Sequence, residues 1–294
     1  MLRFRGCFTA LVTPFVEDGS SVDWNAYERL VESQITGGVS GLVPCGTTGE
    51  TPTLSDSEHL AVIKRTVELA RGRVPVVAGT GTNATHETIA TSRAAFEVGA
   101  DAVLLVVPYY TKPSQTGILR HIERVANAVS GPVVLYNIPA RTVVGLETET
   151  LRRVLDLCPN VVALKDASGN VLYCQEMADL RERLAVLSGD DALTVPMMSV
   201  GATGVISVTS NLYPRETSAV TLAFLAGNWA AAQEAHLRLA PVHRALFREP
   251  NPVLVKAALS ARGRMSPAVR LPLVEAPESV VRDMMAVIDA FEGS

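Results

Sequence analysis

Val161-Val162-Ala163-Leu164-Lys165-Asp166-Ala167-Ser168-Gly169 is an apolar run that ends in a lysine followed by a polar turn. The pattern is typical of a buried strand that stops at Lys165. Burial of an uncompensated ammonium favours the neutral amine, which is the nucleophile of Schiff-base enzymes. A lysine at a strand end also often extends to solvent, so Lys165 taken alone supports a catalytic and a structural interpretation about equally.

Short apolar runs of this kind recur along the chain, and the segments between them have the periodicity of amphipathic helices. The runs cover residues 7–12, 41–45, 74–78, 102–107, 133–136, 161–164, 185–187 and 204–208. The helical segments cover residues 24–35, 57–70, 85–96, 116–129, 148–157 and 172–183. Buried strands that alternate with helices eight times predict an α/β fold, the (β/α)8 TIM barrel. A doubly wound open sheet is the structural alternative.

The strand pattern stops after about residue 214. Residues 216–225, 229–247, 252–262 and 277–291 have helical patterns instead. We therefore predict that residues 1–224 form the barrel, which carries the catalytic site, and that residues 225–294 form a C-terminal helical region.

The composition indicates a globular protein that binds a small molecule. The 294 residues are 48% hydrophobic and 19% charged, enough for one large core. A net charge of −4 and the absence of a dense Lys/Arg run argue against nucleic acid or an anionic membrane surface as a partner. No apolar stretch reaches the roughly 18 residues of a membrane span, and we expect a soluble, cytoplasmic protein.

No metal and no cofactor are expected. The four cysteines never form a C-x-x-C pair, and the five histidines include no H-E-x-x-H pattern. The chain also lacks a G-x-S-x-G elbow and a phosphate-binding P-loop.

Only four of the 26 Lys and Arg residues are lysines, and arginine effectively cannot deprotonate. Lys64 lies in an amphipathic helical pattern and is expected at the surface, and Lys112 lies in a polar loop. Lys256 follows an apolar run and is expected either to be buried or to end an apolar face. Lys165 has the strongest pattern of a strand end.

The barrel places Lys165 at the C-terminal end of the sixth strand, where TIM-barrel enzymes carry their active sites. Other polar groups follow their strands at the same rim: Gly46-Thr47-Thr48-Gly49-Glu50, Gly79-Thr80-Gly81, Pro108-Tyr109-Tyr110, Tyr136-Asn137-Ile138-Pro139-Ala140-Arg141 and Ser188-Gly189-Asp190-Asp191. A neutral amine, hydroxyls that relay protons and an arginine suited to a carboxylate indicate carbonyl–amine chemistry.

Each of these groups also has a structural interpretation. The Thr47 and Thr48 pair suits a tight turn, the Tyr109 and Tyr110 rings suit rim packing, and Arg141 suits a surface ion pair with Glu147 or Glu149. Taken together at one rim, the groups favour an active site.

The chain resembles the dihydrodipicolinate synthase family, also called 4-hydroxy-tetrahydrodipicolinate synthases. The resemblance rests on Ala10-Leu11-Val12-Thr13-Pro14-Phe15, the rim motifs at 46–50, 108–110 and 188–191, Tyr136-Asn137-Ile138-Pro139-Ala140-Arg141-Thr142, Leu164-Lys165-Asp166, Gly204-Val205-Ile206-Ser207-Val208 and Glu249-Pro250-Asn251-Pro252. The barrel and the lysine alone are shared by the wider superfamily of pyruvate-dependent lyases and aldolases. The ordered matches along nearly the whole chain are more specific.

The resemblance implies that Lys165 forms an imine with pyruvate, whose enamine adds to L-aspartate 4-semialdehyde. The product, 4-hydroxy-tetrahydrodipicolinate, belongs to the diaminopimelate route of lysine biosynthesis. By the same resemblance Tyr136, Thr47 and Tyr110 relay protons, with Tyr110 supplied by a neighbouring subunit.

Substrate-binding roles also follow from the resemblance. Thr48 would hold the pyruvate carboxylate and Arg141 the semialdehyde carboxylate, while Gly189 and the carbonyl of Ile206 would line the pocket.

A shared tyrosine implies at least a dimer, and the family usually forms a homotetramer of two tight dimers. Lysine-sensitive members bind lysine at the tight-dimer interface, at positions that match His59, Asn83, Glu87 and Tyr109. Thr51 and Asp56 depart from the sensitive pattern. Feedback inhibition and simple interface packing are equally supported.

Two rivals remain open. The first is another pyruvate-type enzyme, such as an N-acetylneuraminate lyase or a 2-keto-3-deoxy sugar acid aldolase. Those relatives commonly have serine in place of Thr47 and lack an arginine at position 141. The second is a non-catalytic barrel that binds a small acid.

Overall fold

The computed structural model of the chain describes residues 3–293. Eight strands form one parallel sheet in the order β2-β1-β8-β7-β6-β5-β4-β3. The strands are β1 (Gly6–Ala10), β2 (Gly41–Val43), β3 (Val77–Gly79), β4 (Ala102–Val106), β5 (Val133–Asn137), β6 (Val161–Asp166), β7 (Ala185–Ser188) and β8 (Gly204–Ser207). A parallel bridge between Leu42 and Val76 links β2 to the residue before β3 and nearly closes the ring. The TIM-barrel prediction is confirmed, and the open doubly wound sheet is wrong.

Twelve α-helices lie within the described residues. They are α1 (Trp24–Thr36), α2 (Asp56–Ala70), α3 (Thr85–Glu97), α4 (Gln115–Ala126), α5 (Pro139–Thr142), α6 (Thr148–Leu157), α7 (Val171–Glu176), α8 (Thr194–Ser199), α9 (Pro214–Leu225), α10 (Trp229–Leu246), α11 (Val253–Ala261) and α12 (Glu278–Glu292). Most of the helical segments predicted from periodicity are present with ends shifted by a few residues, as expected for helix boundaries.

Three helices differ from the sequence prediction. The segment 172–183 is helical only to Glu176, and a separate turn of 3₁₀ helix follows at Ala178–Leu180. The short helices α5 and α8 were not predicted, because four and six residues are too few to establish a helical period. Both carry a proline in their first turn, where no backbone N–H partner is required.

Strand residues alternate between two apolar clusters. Those that point into the barrel form an inner cluster that includes Phe8, Ala10, Val43, Val77, Leu104, Val134, Tyr136, Ala163, Leu187 and Ile206. Neighbours such as Leu135 and Leu164 pack outward against the helices. Since side chains alternate along a strand, Lys165 shares the inward face of β6 with Ala163. The lysine therefore lies in the mouth of the barrel.

The C-terminal helices pack on the barrel and on one another. Helix α9 contacts β1, β8 and α1, and α10 packs against α9 and α12. Helix α11 is buried along most of its length and includes the fully buried Lys256. The boundary between residues 224 and 225 stays a prediction. None of the helices in the described range is long and apolar enough to cross a membrane.

Candidate active site

Lys165 and Tyr136 are paired across neighbouring strands. They occupy the same register of β6 and β5, and the Lys165 Nζ lies 4.2 Å from the centre of the Tyr136 ring. Lys165 is only 4% exposed, and Tyr136 is equally buried. Within residues 3–293 no carboxylate forms an ion pair with this ammonium. The apolar strand pattern has thus placed an amine without a counter-ion beside a phenol, an arrangement suited to imine formation.

The second buried lysine is in a different environment. The Lys256 Nζ lies 2.7 Å from Glu50 Oε1, donates a hydrogen bond to the Thr13 carbonyl at 2.9 Å, and lies over the Phe15 ring. Burial lowers the pKa of Lys256, and the Glu50 carboxylate opposes that shift. The prediction that Lys256 is either buried or ends an apolar face is resolved in favour of burial. Because its charge is paired, Lys256 is not suited to act as a nucleophile.

Asn137 and Asp166, which directly follow Tyr136 and Lys165 in the chain, are hydrogen-bonded to each other. At the ends of β5 and β6, Asn137 Nδ2 donates to Asp166 Oδ1 at 3.0 Å, and the Leu146 backbone N–H donates to Asn137 Oδ1. Burial raises the pKa of the Asp166 carboxyl, while hydrogen bonds from Ser168 and Asn137 oppose the rise. The sequence pattern alone indicates no separate role for Asn137 or Asp166. The sequence does carry a signal for this pair, since a polar residue directly follows each of the candidates Tyr136 and Lys165.

The loop after β2 presents Thr47 and Thr48 as a turn of 3₁₀ helix. Thr48 is 2% exposed, and its Oγ1 accepts a hydrogen bond from Asn251 Nδ2 at 2.9 Å. Glu50, which ends the turn, has a left-handed backbone with φ of 55°. Asn251 belongs to the Glu249-Pro250-Asn251-Pro252 motif, and its contact with Thr48 links positions 203 residues apart.

A cavity of about 550 Å³ opens at this rim. Its walls include Thr47, Tyr136 and Arg141. They also include three of the four residues proposed for lysine binding, namely His59, Glu87 and Tyr109. Asn83, the fourth, does not line the cavity. The cavity wall thus contains six of the twelve sequence-predicted site residues, whereas Lys165, Thr48, Gly189, Ile206 and Tyr110 do not line it.

Gly189 lies against the lysine. A Cβ atom at this position would be 3.1 Å from Lys165 Cε and 2.8 Å from the Ala167 Cβ. Any larger residue would have to displace the lysine chain or Ala167. Ile206 lies deeper, in the inner apolar cluster of the barrel.

Arg141 lies on α5 and is solvent-exposed at the cavity wall. Among the described residues it forms no ion pair with Glu147 or Glu149, so the surface-pair interpretation is wrong. Its guanidinium is available to a bidentate anion such as a carboxylate.

Comparison with known proteins decides the family. The model of the dihydrodipicolinate synthetase family matches residues 3–291. The chain belongs to this family. It is 63% identical over 279 residues to the 4-hydroxy-tetrahydrodipicolinate synthase of Sorangium cellulosum (strain So ce56), covering 95% of this chain and 93% of the relative.

Solved structures agree with this assignment. The 4-hydroxy-tetrahydrodipicolinate synthase of Methylacidiphilum fumariolicum SolV superimposes with a TM-score of 0.97 at 41% identity, covering 99% of this chain and 97% of that one. The chloride-inhibited dihydrodipicolinate synthase of Acinetobacter baumannii, solved with pyruvate, has a TM-score of 0.96 at 41% identity and covers 99% of both chains. The expected resemblance to the dihydrodipicolinate synthase family is confirmed.

The adjacent tyrosines Tyr109 and Tyr110 lie in different surroundings. Tyr109 lines the cavity, whereas Tyr110 is 85% exposed and has a left-handed φ of 70°. Within one chain Tyr110 is therefore exposed and does not line the cavity.

Other polar residues of the cavity wall form hydrogen bonds within the chain. His59 Nε2 lies 2.7 Å from the Gly79 carbonyl oxygen, and burial lowers the pKa of the His59 imidazole. Thr82 Oγ1 donates weakly to Glu87 at 3.4 Å. No group of three or more His, Cys, Asp or Glu side chains in residues 3–293 is arranged to hold a metal.

Proposed function

We propose that the chain condenses pyruvate with L-aspartate 4-semialdehyde to give 4-hydroxy-tetrahydrodipicolinate, in the diaminopimelate route of lysine biosynthesis. The observation that carries this proposal is Lys165, an amine without a counter-ion that lies 4.2 Å from the centre of the Tyr136 ring in a chain of the dihydrodipicolinate synthetase family.

The Lys165 amine attacks the keto carbon of pyruvate, and loss of water gives an imine. The iminium nitrogen acidifies the neighbouring methyl group, whose proton leaves to give an enamine. The enamine carbon then bonds to the aldehyde carbon of the semialdehyde, and the aldehyde oxygen takes up a proton. Finally the substrate amine attacks the imine carbon, closes the ring and releases the free Lys165 amine.

These steps need a group that gives and takes protons at the imine. Tyr136 is suited to this role, since its ring lies beside Lys165 Nζ. Thr47 lines the same cavity and extends the relay toward the opening. Tyr110 of a second subunit completes it.

Two carboxylates have to be held. Thr48 binds the pyruvate carboxylate through its hydroxyl and backbone amide, close to Gly189 and the Ile206 carbonyl, which shape the pocket. Arg141 binds the carboxylate of the semialdehyde. Its exposure at the cavity wall and its lack of an acidic partner among the described residues support this role.

The assembly that we propose is a homotetramer built from two tight dimers, because Tyr110 serves the site of its neighbour. The exposure of Tyr110, at 85%, supports a contact of this kind. We further propose that residues 1–224 are the barrel domain, that residues 225–294 are the helical region, and that the enzyme acts in the cytoplasm.

Lysine regulation is a further part of the proposal. His59, Glu87 and Tyr109 line the cavity and offer groups suited to an amino acid, and Asn83 would be the fourth residue of the site. Thr51 also lines the cavity, and its hydroxyl hydrogen-bonds to the Cys45 and Gly46 carbonyl oxygens. Inhibition by added lysine tests this assignment against simple packing of the interface.

A substrate comparison tests the function. We expect turnover when pyruvate and aspartate semialdehyde are supplied together, measured through a coupled reductase. Sialic acid and 2-keto-3-deoxygluconate should be cleaved poorly or not at all. Efficient cleavage of either sugar acid with no condensation would instead establish one of the rival lyases, and no reaction with any of them would favour a non-catalytic barrel.

A further inference from the structure

The loop that carries Thr47 and Thr48 is held by residues from the C-terminal part of the chain. We call residues 46–50 the Thr48 loop. Asn251 contacts its middle, and Lys256 and the Arg270 backbone N–H both contact its last residue, Glu50. These contacts join segments that lie more than 200 residues apart.

Asn251 controls the direction of the Thr48 hydroxyl. Its Nδ2 donates to Thr48 Oγ1 at 2.9 Å. A hydroxyl that accepts this bond has its own proton free to donate to another group, such as a carboxylate. The Asn251 Oδ1 is buried and finds no hydrogen-bond partner among residues 3–293. Natural proteins retain an unfavourable feature of this kind mainly at functional sites.

The end of the Thr48 loop is fixed by a buried ion pair. Lys256 and Glu50 are both almost completely buried, and their charged atoms are 2.7 Å apart. The second carboxylate oxygen of Glu50 accepts the Arg270 backbone N–H at 3.0 Å. Lys256 also donates to the carbonyl of Thr13, whose hydroxyl in turn donates to the Gly49 carbonyl at 2.8 Å. Three hydrogen bonds and one ion pair thus surround the turn.

Stability alone explains this arrangement poorly. The desolvation of a buried ion pair usually offsets its attraction, and apolar residues of similar volume often replace such pairs without loss of stability. Glu50 moreover has a left-handed backbone, which is unfavourable for a residue other than glycine. A fixed position of the turn is a more direct consequence of these contacts.

We propose that Asn251 and the Glu50–Lys256 pair are positioning residues for pyruvate, so that the C-terminal helical region completes the active site. The inference rests on the proposed function, in which Thr48 binds the pyruvate carboxylate. Asn251 orients the Thr48 hydroxyl as a donor, and the ion pair holds the loop backbone in register. None of these residues takes part in the covalent steps.

The test is the dependence of Lys165 adduct formation on pyruvate concentration. Borohydride traps the imine, and intact-protein mass spectrometry measures the fraction converted. In Asn251→Asp the side chain keeps its size but presents only acceptors, so Thr48 would donate to position 251 instead of to pyruvate. We expect the half-saturating pyruvate concentration to rise about tenfold, the effect of roughly one hydrogen bond to a charged group, while the plateau is unchanged.

The double variant Glu50→Gln/Lys256→Met removes both buried charges together, so that neither is left unpaired. We expect it to melt close to the native temperature and again to need about tenfold more pyruvate. Arg262→Met is the matched control, because Arg262 pairs with Asp289 and Glu292 in the same part of the chain and does not touch the Thr48 loop. It should behave as the native protein.

Folded variants with native half-saturation would overturn the positioning role. If the double variant does not fold, Asn251→Asp decides the question alone. Absence of any adduct in the native protein is a separate outcome, since it would contradict the proposed function itself. A loss of plateau with unchanged half-saturation would assign these residues to the chemistry and would also contradict the inference.

Discussion

Tyr136 and Lys165 face each other across β5 and β6 at the same register, with the lysine nitrogen 4.2 Å from the centre of the ring. Strand pairing sets this proximity, since parallel strands at matched register bring their inward side chains together. The Asn137–Asp166 hydrogen bond one residue further fixes the two strand ends. The phenol and the amine are therefore held by backbone geometry and not by a flexible loop.

Tyr136→Phe removes the hydroxyl and keeps the ring against Lys165. We expect kcat to fall by about 10²- to 10⁴-fold, the usual contribution of a positioned general acid–base, while an adduct with pyruvate still forms slowly. Steady-state turnover and borohydride trapping on the same preparation measure both effects. Turnover within about threefold of the native rate would mean that another group moves the proton.

Arg141→Gln should impair use of the semialdehyde and leave pyruvate largely unaffected. We expect the KM for the semialdehyde to rise about tenfold to a hundredfold, because a charged hydrogen-bond partner of its carboxylate is lost. Arg152→Gln is the control, since Arg152 pairs with Asp179 on the outer surface. An equal loss of adduct formation and semialdehyde use would show that the assigned role of Arg141 is wrong.

Mixing two inactive variants tests the contribution of Tyr110 across subunits. Tyr110→Phe lacks the proposed relay hydroxyl, and Lys165→Ala lacks the nucleophile. A mixed dimer has one intact site, formed by Lys165 of one subunit and Tyr110 of the other. After subunit exchange at equal amounts we expect roughly a quarter of the native activity. Failure of the mixture to gain activity, or a fully active Tyr110→Phe, would rule out this arrangement.

Buried histidines predict loss of stability on mild acidification. Burial lowers the pKa of His236, reinforced by the neighbouring His243, and burial also lowers the pKa of His243 against the opposing charges of Asp191 and Asp190. The unfolded chain therefore takes up protons before the folded protein does, and stability is full above the unfolded pKa of about 6.5 and falls below it.

The decrease is expected between about pH 6.5 and 5.5, with up to about 1.4 kcal/mol per pH unit for each histidine held neutral. Burial raises the pKa of Asp166 and of Asp190, which stabilises the folded protein as the pH falls. Because the ordinary pKa of a carboxyl group is lower than that of histidine, this opposing effect is centred below the histidine window. Urea unfolding at a series of pH values measures the free energy. A free energy of unfolding that is constant or rises as the pH falls through this window would contradict the prediction.

The sequence was sufficient to predict the barrel, because eight short apolar runs alternate with helical patterns along the chain. It also placed Lys165, Tyr136, Thr47 and Arg141 at one rim, since all lie at or just after the C-terminal ends of parallel strands. The clustering of these residues in the structure follows from that rule alone.

Long-range contacts could not be predicted in the same way. The Glu50–Lys256 pair joins residues 206 apart, and Asn251 meets Thr48 across a similar distance in sequence. No local periodicity or motif spacing predicts a contact between residues so far apart in sequence. The choice between burial and exposure for Lys256 likewise depended on which carboxylate the fold brought to it.

The most direct measurement is the site of the adduct formed when pyruvate and borohydride are added to the native protein. Peptide mass mapping should find the reduced pyruvate adduct on Lys165, and Lys165→Ala should form none. A native protein that forms no adduct, or one that carries it on Lys256 or another residue, would contradict the Schiff-base mechanism.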